Sequence, residues 1–304
     1  MSLQRRYCAR LLVDWLNERS DAQFDLSDDA GDAFIATDGE RRIGVWAGPL
    51  WEEESPWTER LEAIATRLPN DGAYALWVPP KAGVPSDEPD ASEFVQRVQS
   101  AAASLSPGER TEVAFPITVR LSKTSEEGGY ASVIGGLSRW WTRITEKVSG
   151  TFHVNSAALH RLTRDGEVRE QLWDDIGRLS HSIELGQGTD IKIDEAWTLQ
   201  QLSDPVSGFV LIGAPPAVDA GEGILVRRIV RSRLREANEA LNALDVELRV
   251  VGLIGSYEYG DLETAGATVK AVDPSLFNRL EVLAILADGD VRPTFLPRSL
   301  PWTQ

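Results

Sequence analysis

Sulfur is nearly absent from this chain, with one cysteine, Cys8, and one methionine in 304 residues. A lone cysteine excludes an intrachain disulfide and any zinc site built on paired thiolates, and it suits a reducing cytoplasm, where the protein is expected. Histidine is scarce as well: His153, His160 and His181 are the full set, and none has a partner at zinc-ligand spacing. Lysine occurs only at Lys81, Lys123, Lys147, Lys192 and Lys270, so the basic side chains are overwhelmingly arginine. No uncharged apolar run approaches the roughly 20 residues of a membrane span, so no membrane partner is expected. The opening stretch MSLQRRYCARLLVDWLNERS is basic and then apolar, but Asp14, Asn17 and Glu18 interrupt it, which reads as a helix and not a signal peptide. The Gly-x-x-x-x-Gly-Lys phosphate loop, the Gly-x-Ser-x-Gly elbow and the Gly-x-Gly-x-x-Gly fingerprint are all missing. Gly252 to Gly260 is glycine-rich but has no lysine.

Acid is what the chain has in excess. A formal charge of −16 and a pI near 4.7 oppose nonspecific attraction to polyphosphate or anionic lipid. At this length a sizeable core can be buried in one large domain or two joined ones.

The hydrophobic pattern alternates between helix and strand periods. Tyr7, Leu11, Leu12, Trp15 and Leu16 gather on one face of a helix over Leu3 to Arg19. Phe24 and Leu26 mark a short edge strand. Gly31 to Trp51 then reads as two strands, Ala33 to Thr37 and Arg41 to Ala47, joined at Asp38-Gly39, the strongest short-range hairpin signal. Ser55 and Pro56 open a second helix with Trp57, Leu61, Ile64, Ala65 and Leu68 inward, and Ala73 to Val78 is a fourth strand. Pro79, Pro80, Pro85 and Pro89 mark an exposed loop. Further on, the spacing predicts a helix over Ala91 to Leu105 and a strand over Thr111 to Leu121, whose Pro116 points to an edge or a bulge. A helix at Gly136 to Lys147 is predicted next, followed by a strand at Thr151 to Val154. One or two helices capped at Asn155 or Ser156 and two strands within Ile183 to Trp197 come after it. The closing elements are a strand at Phe209 to Gly213, the longest helix at Ile224 to Leu244, a strand at Val246 to Ile254, and a hairpin turning at Asp288 to Asp290. These elements predict an α/β fold, a mixed central sheet with flanking helices, divided into a core at 1–122 and a second α/β part at 123–304.

The order helix, three strands, helix, strand over Leu3 to Val78 resembles the core of the restriction-endonuclease-like, PD-(D/E)XK nuclease superfamily. Gly31-Asp32-Ala33-Phe34-Ile35 stands where that family has its Pro-Asp, and Arg41 to Ala47 stands in place of the strand bearing Glu-X-Lys. The resemblance implies a restriction-endonuclease-like N-terminal core. In that family the carboxylates hold magnesium, which polarises the phosphodiester and prepares a water nucleophile. Carried over, Asp32 matches the first acidic ligand and Glu18 an acid on the preceding helix, while Val45 or Trp46 occupies the second acidic position and no lysine follows. An isopropyl or indole group offers neither charge nor an oxygen donor, so the implied active site is eroded. Glu53, within the run Glu52-Glu53-Glu54, is the acid that would complete a displaced catalytic set of Glu18, Asp32 and Glu53; a solvated acidic loop ahead of a helix N-terminus, favoured by the helix dipole, explains the run at lower cost. Asp32 itself reads first as a turn residue. Asp190-Ile191-Lys192 is a second nuclease-like triplet whose plainer reading is a half-exposed strand.

One basic face stands out. Arg227, Arg228, Arg231 and Arg235 fall on one side of the long helix, and Val226, Val230, Leu234, Ala237, Leu241 and Leu244 on the other. Guanidinium groups grip phosphate and carboxylate by paired hydrogen bonds, so the functional reading of this face is an anchor for phosphate groups or for an acidic partner; it reads first as a solvated surface balanced by the acids of neighbouring elements. The leading expectation is a noncatalytic interaction or scaffold protein with an eroded nuclease-like core and no cofactor. A protein partner is expected, and nucleic acid could bind through the arginine face, as in a subunit of a nucleic-acid-related assembly. Pro49-Leu50-Trp51 is a second expected contact surface. The alternatives are a magnesium-dependent nuclease and a small-molecule-binding α/β enzyme with polar groups converging at strand C-terminal ends. The ten tryptophans read as core before they read as a stacking platform.

Overall fold

A computed structural model describes residues 2–51, 56–79, 82–127, 129–133, 147–155, 163, 165–215, 223–255 and 273–295. In chain order its elements are α1 (Leu3–Asn17), β1 (Asp25–Ala30), β2 (Ala33–Thr37), β3 (Arg42–Pro49), α2 (Pro56–Ala65), β4 (Ala73–Trp77), α3 (Asp90–Ala102), β5 (Arg110–Ser125), β6 (Gly129–Val133) and β7 (Gly150–Asn155). They continue with α4 (Gly166–Ser180), β8 (Gly188–Leu202), β9 (Gly208–Ile212), α5 (Gly223–Asn242), β10 (Leu248–Ile254), a 3-10 turn at Pro274–Phe277, β11 (Val282–Ala287) and β12 (Asp290–Phe295). The protein is α/β, with parallel and antiparallel strands in the same sheets.

The chain divides into a unit made of Met1–Thr111 with Thr198–Gln304 and a unit made of Glu112–Trp197. This differs from the expected division at 122/123, which falls inside β5. The reason is long-range pairing: β3 finds its parallel partner in β10, from Ile43 opposite Leu248 to Pro49 opposite Ile254, so both ends of the chain belong to one unit.

In the first unit, one sheet runs β1-β2-β3-β10-β11-β12. Local chemistry sets the β2–β3 hairpin. The Asp38 carboxylate accepts from the amides of Glu40 (3.1 Å) and Arg41 (2.8 Å), and the Arg41 amide bond leads the effects that hold its carboxyl below the ordinary value. Parallel β3, β10 and β11 fill the centre, and they are buried along almost their whole length, as central parallel strands require. Beside them in this unit, β4 pairs parallel with β9 and antiparallel with the Thr198–Leu202 end of β8.

The first helix goes deeper than its apolar stripe implies. Cys8, Ala9 and Val13 are buried together with Tyr7, Leu11, Leu12, Trp15 and Leu16. A helix buried beyond one stripe needs cover on more than one side. It has that cover because α1 packs on β3 and β10 and also on β4 and β9. Each large aliphatic side chain fully removed from water there contributes about 1.5–3 kcal/mol. α5 packs on β3 and β10 as well, and α2 lies on β9, where the Trp57 indole donates to the Gly213 carbonyl at 3.0 Å. The proline loop is less exposed than its composition suggests, because Ala82 and Val84 are buried.

The second unit holds β6 parallel to β7, β7 antiparallel to β5, and β8 beside β5. Residues 183–197 contribute to one long strand, β8, in place of the two expected, and β6 was not anticipated. Pro116 lies upstream of the β7 ladder, which begins at Arg120, so its missing N–H interrupts no rung to that strand. Asp165, whose carboxylate accepts from the amides of Glu167 and Val168, caps α4. Trp173 and Ile176 of that helix pack with Val119, Leu121, Phe152, Ile191 and Ile193. The expected helix at 136–147 lies almost wholly outside the described residues.

Candidate functional site

Three places carry the chemistry-bearing side chains. The first is the region where the sequence carries Glu18, Asp32 and Glu53. Glu18 is the exposed C-cap of α1 and ion-pairs with neighbouring Arg19 at 3.4 Å. Asp32 is exposed in the two-residue turn between β1 and β2, whose flanking pair is Ala30 with Ala33, so it precedes β2 and does not belong to it. Glu53 lies outside the described residues. Among the described residues no hydrogen bond or ion pair joins Glu18 to Asp32, and no three His, Cys, Asp or Glu side chains are grouped to hold a metal ion. Val45 and Trp46 are 0 % and 1 % exposed, so β3 presents core where the family pattern needs ligands. The helix–strand order expected over Leu3 to Val78 is present, but β4 pairs with β8 and β9, and β3 lies between β2 and β10.

The Asp190-Ile191-Lys192 triplet sits on an alternating strand. Asp190 and Lys192 are exposed, with Asp190 paired to Arg120 at 3.2 Å, and Ile191 and Ile193 face inward. The same phase carries Glu195 inward. The residue is 3 % exposed, and its carboxylate accepts from the Trp197 indole at 2.7 Å. The two-residue period already placed Glu195 in step with Ile191 and Ile193, a signal that its charge obscured. His153 is half-buried on β7 and His181 is the exposed C-cap of α4, while His160 lies outside the described residues.

The second place is the outer side of α5. Arg227, Arg228, Arg231 and Arg235 are all exposed. Val230, Leu234, Ala237 and Leu241 on the opposite side are at most 1 % exposed, and the side chain of Val226 is outside the described residues. Asp273, at the start of the 3-10 turn that packs on α5, is the acid beside this row. The Ser275 amide leads in holding its carboxyl below the ordinary value, and the charges of Arg231 and Arg235 add to the effect. Arg233 has a different role. It donates from Nε to the Pro49 carbonyl and from Nη2 to the Trp51 carbonyl, both at 2.8 Å, and pairs with Glu236 at 2.7 Å. Pro49-Leu50-Trp51 is therefore no contact surface: Leu50 and Trp51 are 2 % and 5 % exposed, sealed by α5 and by the Leu50 amide bond to Ile254. Trp15, Trp46, Trp51, Trp57, Trp77, Trp173 and Trp197 are all buried, which makes them core.

The third place went unnoticed in the sequence. The β11–β12 hairpin turns through Asp288 and Gly289, with Ala287 paired to Asp290, and both turn residues have left-handed φ, 55° and 74°. The Asp288 side chain turns inward to accept from the Thr198 hydroxyl, and Arg110 reaches Asp290 at 2.6 Å. Trp77, Thr198 and Asp288 are 4 %, 6 % and 8 % exposed, which makes this a buried polar corner at the C-terminal ends of β4 and β11. An Asp-Gly turn predicts the hairpin, but nothing local tells that its carboxylate is buried.

No family model, no curated protein and no solved structure matches the chain significantly.

Proposed function

We propose that this protein is a noncatalytic interaction or scaffold protein whose nuclease-like core has lost its ligands and which engages an acidic protein partner through the arginine row of α5. The observation that carries this reading is the fixed orientation of that row. Because Val230, Leu234, Ala237 and Leu241 are locked in the core, Arg227, Arg228, Arg231 and Arg235 have no alternative to facing outward. Arginines four apart on a helix stand about 6 Å apart along its axis, the spacing at which acids four apart on a partner helix repeat. The apolar burial of Val45 and Trp46 supports the loss of ligands, as a carboxylate at either place would have to leave water without a partner.

Anisotropy titrations with a labelled polyglutamate peptide and a short DNA duplex, at low and physiological salt, test this. The expected result is polyglutamate binding that falls about tenfold or more in Arg227→Glu/Arg228→Glu/Arg231→Glu and weakens with salt. Equal binding by the charge-reversed variant refutes the surface. Manganese-dependent cleavage of the duplex that disappears in Asp32→Ala transfers the function to the nuclease reading.

A further inference from the structure

The outer side of α5 carries both signs of charge in a fixed order. Arg228, Ser232, Arg235 and Glu239 are all exposed and recur at steps of four, three and four, which draws them into one line along the helix. The buried Val230, Leu234, Ala237 and Leu241 hold that line outward. Base lies toward the N-terminal end and acid toward the C-terminal end, with no acid in the first turn and no base in the last. That order runs against the helix dipole, and Arg231 repels Arg227 and Arg235 at i, i+4 spacing, so these charges are not arranged to stabilise the helix that carries them.

Such a line is complementary to itself reversed. When two copies of α5 lie antiparallel about a two-fold axis level with the Arg233–Leu234 peptide, Arg228 of each faces Glu239 of the other, and Ser232 of each faces Arg235 of the other. Parallel packing would instead set arginine against arginine. The Ser232 hydroxyl donates to Glu236 at 3.1 Å, which leaves its oxygen to accept from the arginine opposite. The antiparallel arrangement also places the basic half of each helix beside the negative end of the other's dipole. Glu236 is already held by Arg233 at 2.7 Å, and Asp273 lies in the field of Arg231 and Arg235, so Glu239 is the acid on this line that can meet another copy. We propose that the acidic partner of the arginine row is a second copy of this chain, docked through antiparallel α5 helices with Arg228 paired to Glu239 twice over. This rests on the arginine row being a docking face.

Sedimentation equilibrium of the full chain, over micromolar to millimolar protein at low and high salt, tests this. The wild-type mass is expected to rise from 33.4 kDa toward twice that value at low salt, and less so at high salt. Arg228→Glu and Glu239→Arg each set like charges opposite one another and should weaken association about tenfold or more. The double variant Arg228→Glu/Glu239→Arg exchanges the two charges and should recover most of the loss. A wild type that stays at the mass of one chain, single variants that associate as the wild type does, or a double variant no better than the singles overturns the proposal. Polyglutamate titration separates this from the reading beneath it, because Glu239→Arg leaves the arginine row intact and should bind the peptide while losing self-association. A wild type that binds polyglutamate through the row without self-associating overturns the second copy alone. Peptide binding indifferent to reversal of the row overturns both.

Discussion

Replacing Gly48 with alanine adds one methyl group near the end of β3, and the structure says where it goes. The new Cβ would stand 2.2 Å from Cη2 of the Trp46 ring, with Cζ2 at 2.8 Å and Cζ3 at 2.9 Å. Trp46 is 1 % exposed, so its ring has no solvent to swing into, and the Arg5 guanidinium carbon stands 5.7 Å from the ring centroid. Gly48 is not in the left-handed region, so its backbone accepts alanine. Propensity alone would then favour the change by about 0.5–1 kcal/mol. Forcing a methyl group into a packed core costs about 1–3 kcal/mol and sometimes more, so the steric cost prevails and a net destabilisation of about 1–2 kcal/mol is expected. At about 2–4 °C per kcal/mol for a unit of this size, the melting temperature should fall by roughly 2–8 °C. Thermal and urea unfolding followed by tryptophan fluorescence measure the change. Trp46→Phe removes the ring atoms that collide, so Gly48→Ala made in that background should cost little. The same cost in both backgrounds, or a Gly48→Ala protein as stable as the wild type, would refute the contact as the cause.

Arg233→Met should destabilise by about 1–3 kcal/mol in urea unfolding, because the Pro49 and Trp51 carbonyls lose their donors together; an unchanged midpoint would show that water replaces the guanidinium. Asp14 is affected chiefly by burial, which raises its carboxyl above the ordinary 3.8 against the pull of Arg10, its ion-pair partner at 2.9 Å. A raised acid favours its neutral form in the folded state. Its contribution to stability is therefore full below the unfolded value and lost as pH rises through the folded one. Relative to Asp14→Asn, the wild type should lose stability as pH climbs from below 3.8 toward neutrality. Urea midpoints of the two proteins across that interval measure the gap, and a constant gap, or one that moves in the wild type's favour, would sink the assignment.

Much of the chain's local form was legible. Ala33–Thr37 forms β2 with the expected ends, because alternating apolar residues beside an Asp-Gly turn leave few other conformations. The long helix and its two sides were legible from the i, i+4 spacing of Arg227, Arg231 and Arg235 against Val230, Leu234, Ala237 and Leu241 at steps of three and four. The pattern of Ile191, Ile193 and the polar residues between them gave the alternation of β8, though not the inward turn of Glu195. The candidate site was legible only as residue types: the arginines were found, while the buried corner at Trp77, Thr198 and Asp288 has no local signature.

The amino-acid order by itself determined where α1, β2, α2 and α5 form, which side of each of those helices is apolar, and that Val45 and Trp46 cannot serve as oxygen ligands, since periodicity and side-chain chemistry are properties of neighbouring residues. Tertiary structure alone decided that β3 pairs with β10 and β4 with β9, that α1 is covered on more than one side, and that Leu50 and Trp51 are sealed by Arg233 and Ile254. Strands buried on both faces, such as Arg42–Pro49, Leu248–Ile254 and Val282–Ala287, are nearly uniform apolar runs that carry no mark of their partners. Their pairing is settled by which arrangement satisfies every buried N–H and C=O at once, and that is a condition on the whole chain.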